Sequence, residues 1–276
     1  MIWYVEEETP GYSLHWKVKR VLYEQQTRYQ RLQVLELEDY GRALVLDNAI
    51  QITEKDEFIY NEMISHVPLL THPSPKRVLI IGGGDGGAAR EVLKHKEVEE
   101  VHMVEIDGEV IEAVRRFFPV NASAFDDPRF KLFIQDGLDF IKSKNQEYDV
   151  IIVDSSDPVG PAVQLFEYQF YSDCLNALKP DGILNVQSES PFYNKDIMKR
   201  VKDLLSSLFK YVNPYLACIP TYPSGLWSFT MASNVYHYLA ADLTRIQGLN
   251  TRYFNKDLFH ACFALPEFIN DFLNMV

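Results

Sequence analysis

Between residue 77 and about residue 190, short apolar runs alternate with stretches of helical periodicity. The runs are Val78–Ile81, Val101–Glu105, Phe130–Ile134, Val150–Val153 and Ile183–Val186; between them lie Ala88–His95, Glu109–Phe117, Leu138–Ser143 and Tyr168–Leu178. Runs that are apolar throughout, instead of at every second position, belong to strands covered on both faces. Strand–helix alternation of this kind predicts a mostly parallel, doubly wound α/β sheet. Such sheets bind ligands beyond the carboxyl ends of their strands, so the residues just past each run are the candidates for a site.

The flanks differ. Arg31–Glu38, Arg42–Asp47 and Ala49–Thr53 read as strands joined by turns at Asp39-Tyr40-Gly41 and Asp47-Asn48, so a small antiparallel β-domain is expected over residues 1–55. The second domain, 56–276, then opens on a helix carrying Phe58, Ile59, Met63, Ile64 and Val67 at helical spacing. Thr53-Glu-Lys-Asp56 fits a capping box with Thr53 at the N-cap. His72-Pro-Ser-Pro75 ends the helix. The tail beyond residue 195 supplies further helices and one or two strands.

The chain has 27 basic and 39 acidic residues, a net charge of −12. That balance argues against a nucleic-acid partner and suits a cationic one. Cys174, Cys218 and Cys262 show no paired spacing and read as reduced thiols of a cytoplasmic protein. The histidines form no metal-binding pair, so no metal is expected. No basic start with an apolar run marks a signal peptide, and no run approaches the ~20 apolar residues of a membrane span.

The first run leads into Gly82-Gly-Gly-Asp85-Gly-Gly87. Glycine loops between strand and helix ordinarily offer N–H groups to phosphate. Asp85 would repel a pyrophosphate. It therefore weighs against a nicotinamide enzyme, although Gly82, Gly84 and Gly87 satisfy that fingerprint formally. The other strand ends are also acidic: Glu105-Ile-Asp107, Asp136-Gly137 and Asp154-Ser-Ser-Asp157-Pro158. Glu105 lies near the ~20-residue distance at which an acid takes ribose hydroxyls. Asp107 reads as a helix N-cap. Asp136-Gly137 fits equally an acceptor for an adenine amine and a helix-capping turn. The Asp154–Pro161 segment, stiffened by Pro158 and Pro161, holds more acids and hydroxyls than capping needs and reads as a catalytic loop. Four acids brought to one cleft require an offsetting cation.

At these residues the chain resembles the polyamine aminopropyltransferases, the spermidine synthase family. The matching segments are Tyr29-Gln30, Thr53–Phe58 with Tyr60, Gly82–Gly87, Asp136-Gly137, Asp154–Pro161, Ile219–Gly225 and His260–Pro266. The resemblance implies a Rossmann-like, methyltransferase-type core behind an N-terminal β-domain, in a homodimer or homotetramer. It implies aminopropyl transfer from decarboxylated S-adenosylmethionine to putrescine, giving spermidine and methylthioadenosine, with no cofactor. By resemblance Gln30, Asp85, Glu105, Asp136, Gly137 and Pro161 line the donor site. Asn61, Asp85, Asp154, Ser155, Ser156, Asp157 and Tyr222 surround the amine, and Asp154 and Tyr60 are catalytic. Asn61 departs from the histidine that many bacterial relatives carry there. Two other readings remain: a methyltransferase on the same core, and a noncatalytic polyamine-binding protein.

Overall fold

A computed structural model describes residues 2–156 and 160–275, with the side chains of Gly160 and Pro161 also outside the description. A five-stranded antiparallel sheet comes first: β1 (Ile2–Thr9), β2 (Tyr12–Gln26), β3 (Arg31–Leu37), β4 (Gly41–Leu46) and β5 (Ala49–Thr53), in that spatial order. Helix α1 (Glu57–Thr71) connects it to the second sheet. Strands and helices then alternate as β6 (Arg77–Gly82), α2 (Gly87–Leu93), β7 (Glu100–Glu105), α3 (Gly108–Phe117), the short α4 (Pro119–Ala122), β8 (Phe130–Ile134), α5 (Gly137–Lys142), β9 (Tyr148–Asp154), α6 (Tyr168–Ala177) and β10 (Leu178–Gln187). The chain closes with α7 (Lys195–Leu208), β11 (Tyr211–Cys218), β12 (Leu226–Ser233), α8 (Lys256–Ala261) and α9 (Glu267–Asn274).

The seven-stranded sheet has the order β11-β12-β10-β9-β6-β7-β8. Its five expected strands run parallel, and β12 and β11 add an antiparallel edge. Successive β6 side chains point to opposite faces. Val78 and Ile80 pack with α1, α2 and α3, whereas Leu79 and Ile81 pack with α5, α6 and α7. That two-sided burial is why the run is apolar at every position.

The chain moves outward from β6 to β8, then crosses back to β9. The topological switch point therefore lies between β6 and β9, where Gly82 pairs with Asp154. Gly82 adopts φ +82°, and a Cβ there would collide with the Asp154 carbonyl oxygen. Left-handed backbone costs a non-glycine residue about 1–3 kcal/mol before any clash. Gly82→Ala should consequently lower Tm by several degrees in a thermal melt, whereas Gly11→Ala, with nothing near its Cβ position, should change it by less than about one degree.

The expected capping box is not formed. Thr53 remains in β5, paired with Ala43, and the helix begins at Glu57 with Asp56 at the N-cap position but making no side-chain cap bond. Asp56 is occupied elsewhere: it accepts from the Thr53 hydroxyl at 2.6 Å and from the Thr221 N–H at 2.9 Å. The buried acid thereby ties the Ile219–Gly225 loop to the head of α1. Asp107 does cap α3, accepting from the Glu109 N–H at 3.1 Å.

Candidate active site

The carboxyl ends of β6, β7 and β9 open into one cavity of about 610 Å3. The glycine loop forms its floor, and β1, β5 and the Tyr222–Trp227 loop contribute the opposing walls. Gln30, Tyr60, Asp85, Glu105, Asp136, Gly137, Asp154, Ser155, Ser156 and Tyr222 all line it. Residues far apart in sequence thus meet because each sits at a strand end or on an element packed over one.

At the switch point, the Tyr60 hydroxyl donates to Asp154 Oδ1 at 2.6 Å. The other oxygen, Oδ2, is buried without a hydrogen-bond partner among the described residues. Burial, with Asp85 and Glu105 nearby, raises the Asp154 carboxyl to about 8, against the lowering effect of the Tyr60 bond. Glu105 rises to about 7, chiefly through burial; its Oε1 accepts the Asp107 N–H at 2.9 Å. Gly84 lets the loop approach this acid, since a Cβ there would come within 2.8 Å of Glu105 Oε2. Asp85 rises to about 6, with burial the main cause and the Gly87 N–H bond of 2.7 Å opposing it. Three carboxylates, Glu105 buried and Asp85 and Asp154 half-buried, crowd one end of the cavity, and each is pushed toward its neutral form. A cation entering that space reverses the trend.

The surrounding residues show how each is placed. Gln30 and Thr27 both donate to Asp107 Oδ2, at 3.0 and 2.7 Å. Asp136 caps α5 through the Leu138 N–H at 2.8 Å and also lines the cavity. Tyr222 donates to the Gln51 carbonyl at 2.8 Å, and its ring stands 5.7 Å from Tyr60 and 4.7 Å from Trp227. Ser155 Oγ is buried without a hydrogen-bond partner among the described residues. Asp157 lies outside the described residues, and of Pro161 only the backbone is described.

Asn61 is the exception. It is fully buried and does not reach the cavity. One position past Tyr60 on a helix is a turn of about 100°, so Asn61 faces α2 and donates to Glu57 Oε2 at 2.8 Å and to the Glu57 carbonyl at 3.0 Å. The expected direct contact between this residue and a polyamine is thus not visible in the cavity lining, where Asn61 is absent.

Glu189 was not among the expected site residues. It lies just past β10, lines the cavity and is fully buried at φ +68°. Gln187 and Asn194 donate to its carboxylate at 3.1 and 3.2 Å. The strand-end rule applied to Ile183–Val186 would have found it. Glu6, Glu7 and Glu8 of β1 also line the cavity, and no local pattern announces that. Among the described residues, no three metal-ligating side chains converge, and no helix is long and apolar enough to cross a membrane.

Fold and cleft together define a class: a Rossmann-like, methyltransferase-type transferase with an acidic pocket at its switch point. Residues 57–241 match the spermine/spermidine synthase domain, and residues 2–54 match the spermidine synthase tetramerisation domain. The polyamine aminopropyltransferase of Caldicellulosiruptor bescii is 49% identical over 99% of this chain and 98% of its own length. That of Bacillus subtilis is 44% identical over 99% of both. A spermidine synthase crystallised with the transition-state analogue AdoDATO superposes with a TM-score of 0.97 at 41% identity, covering 100% of this chain and 96% of the other. The Thermotoga maritima spermidine synthase gives 0.96, also at 41% identity, covering 100% and 95%. The chain belongs to the spermine/spermidine synthase family and is an enzyme of the polyamine aminopropyltransferase group.

Proposed function

We propose that the enzyme transfers the aminopropyl group of decarboxylated S-adenosylmethionine to putrescine, releasing methylthioadenosine and spermidine. The observation that carries this reading is the Tyr60–Asp154 pair, whose second carboxylate oxygen is buried and unpaired beside two further acids. In the reaction the acceptor nitrogen attacks the methylene next to the sulfonium. The C–N bond forms, the C–S bond breaks with its electron pair returning to sulfur, and the nitrogen loses one proton to Asp154. Glu105 takes the ribose hydroxyls. Gln30 fixes that wall through Asp107, and Asp136-Gly137 accommodates the base. Asp85 holds the donor's ammonium. Tyr60 and Tyr222 frame the attacking amine, with Ser155, Ser156 and Asp157 on the loop beside it.

Glu189 with Glu6 and Glu8 makes the far side of the cavity acidic, as the second ammonium of a diamine requires. A relative that is a spermidine synthase and binds AdoDATO supports the substrate pair. The tetramerisation-domain match supports a homo-oligomer, dimer or tetramer, and three unpaired cysteines suit the cytoplasm. No cofactor is needed, because the sulfonium supplies the leaving group.

Mass spectrometry of products from the decarboxylated donor with putrescine, cadaverine, agmatine, 1,3-diaminopropane and spermidine tests this assignment. Spermidine formed preferentially from putrescine is expected; turnover confined to another acceptor would replace putrescine in it, and no product from any amine would leave a binding protein. Asp85 also predicts donor selectivity. S-adenosylmethionine carries a carboxylate that Asp85 would repel. Competitive inhibition by S-adenosylmethionine should strengthen about tenfold in Asp85→Asn relative to affinity for the decarboxylated donor. An unchanged ratio would remove Asp85 from that role.

A further inference from the structure

We propose that Asn121 is a positioning residue for Asp85, relaying to it the buried guanidinium of Arg90. The inference rests on the reading of Asp85 as the acid that holds the donor's ammonium. Arg90, on α2, is largely buried behind the glycine loop. Its guanidinium grips Glu57 through two bonds of 3.0 and 2.9 Å, donates to Glu91 at 2.8 Å and gives a further bond of 3.0 Å to Asn121 Oδ1. Arginine can only donate. That bond therefore fixes which end of the Asn121 amide faces Asp85: Oδ1 is turned to Arg90, and Nδ2 lies 3.4 Å from Asp85 Oδ1. The Gly87 N–H reaches the same Oδ1 at 2.7 Å. With both donors on Oδ1, Asp85 is held in one orientation and Oδ2 is left for the cavity. The loop also runs close to the Asn121 backbone, since a Cβ on Gly86 would stand 2.9 Å from the Asn121 carbonyl oxygen.

The charges facing Asp85 come from every neighbouring element: Glu57 on α1, Arg90 on α2, Glu105 at the end of β7 and Asp154 on β9. Three of the four are acids. The Asn121 amide, like the Gly87 N–H and the Arg90 charge, works against the burial that pushes Asp85 toward its neutral form, and it does so as a neutral donor aimed at Oδ1; an ionised Asp85 is what an ammonium needs. Asn61 belongs to the same array from behind, donating to the Glu57 carboxylate that Arg90 holds.

The test is the pH dependence of KM and kcat for decarboxylated S-adenosylmethionine in Asn121→Ala, Asn121→Asp and Asp85→Asn, alone and combined. Asn121→Asp places a like charge against Asp85 and should move the acid limb of kcat/KM up by about one pH unit. Asn121→Ala should raise donor KM several-fold near neutral pH, with kcat at pH 9 changed less than about twofold. In an Asp85→Asn background neither substitution should shift the limb further. If Asp85→Asn raises donor KM but Asn121→Ala leaves both KM and the limb in place, Asn121 is merely structural and the inference fails. If Asp85→Asn itself leaves donor KM unchanged, the reading beneath it fails instead. Asn121→Ser replaces either variant that does not fold.

Discussion

Asp154→Asn should lower kcat by about 10²–10⁴-fold while leaving donor KM within a few-fold of the parent. An alkylammonium has a pKa near ~10.4, so under about one part in a thousand of the acceptor amine is neutral at pH 7. An ordinary aspartate, near ~3.9, lies more than about six pH units below that amine and would accept its proton poorly. At about 8, Asp154 is within roughly two to three units. Bound cations pull it down again, and the Tyr60 bond does so already. The asparagine keeps the shape and a hydrogen-bonding oxygen for Tyr60 but takes no proton. Tyr60→Phe should cost less, about tenfold in kcat, because the base survives and loses only its orienting donor. Single-turnover kinetics separates these losses from donor binding. Undiminished turnover in Asp154→Asn would eliminate it as the proton acceptor.

How far the sequence foretells this site depends on the distance over which each signal acts. The five central strands are legible because two-sided burial writes itself on consecutive residues: Val78 and Ile80 answer to one helical layer, Leu79 and Ile81 to the other. The strand-end acids come from topology alone. Asp56 shows where local reasoning fails, since its carboxylate serves Thr221, 165 residues away, instead of the helix it precedes. Asn61 shows another limit. Its segment is recognisable, but whether a side chain faces the cavity or the next helix depends on the rotation of α1 against α2. The acids of β1 reach the cavity only because the first hairpin packs over it, and alternation within a strand carries no such information. Glu189 differs from these, because the rule that picks out the other four strand ends reaches it as well.

The same burial and crowding that raise the Asp154 carboxyl should make it a liability to the unliganded fold, with a sign that pH reveals. A carboxyl whose folded pKa lies above its unfolded value binds its proton more tightly when folded. Stability is then present below the unfolded value and lost as pH rises through the folded one. For Asp154 that window runs from about 4 to about 8. Other groups titrate nearby. His72 and His95, lowered by burial, favour the fold increasingly as pH rises toward ~6.5 and add nothing further above it. Cys174 and Cys262, raised by burial, weaken it above ~8.5. Comparing the parent with Asp154→Asn cancels these contributions, because both proteins share them. Near pH 4, where Asp154 is neutral in the folded state and only beginning to ionise in the unfolded one, the melting temperatures should nearly coincide, and the gap should open steadily as pH rises from there. By pH 8.5 the parent carries a buried charge that the variant lacks, and Asp154→Asn should melt several degrees higher. Saturating decarboxylated S-adenosylmethionine should narrow the gap, since its sulfonium and ammonium favour the ionised parent. Thermal melts across pH 4–8.5 provide the measurement. A difference that is constant with pH, or in which the parent gains on the variant as pH rises, would show that Asp154 is ionised at little cost in the empty cavity and that its basicity arises only when substrate binds.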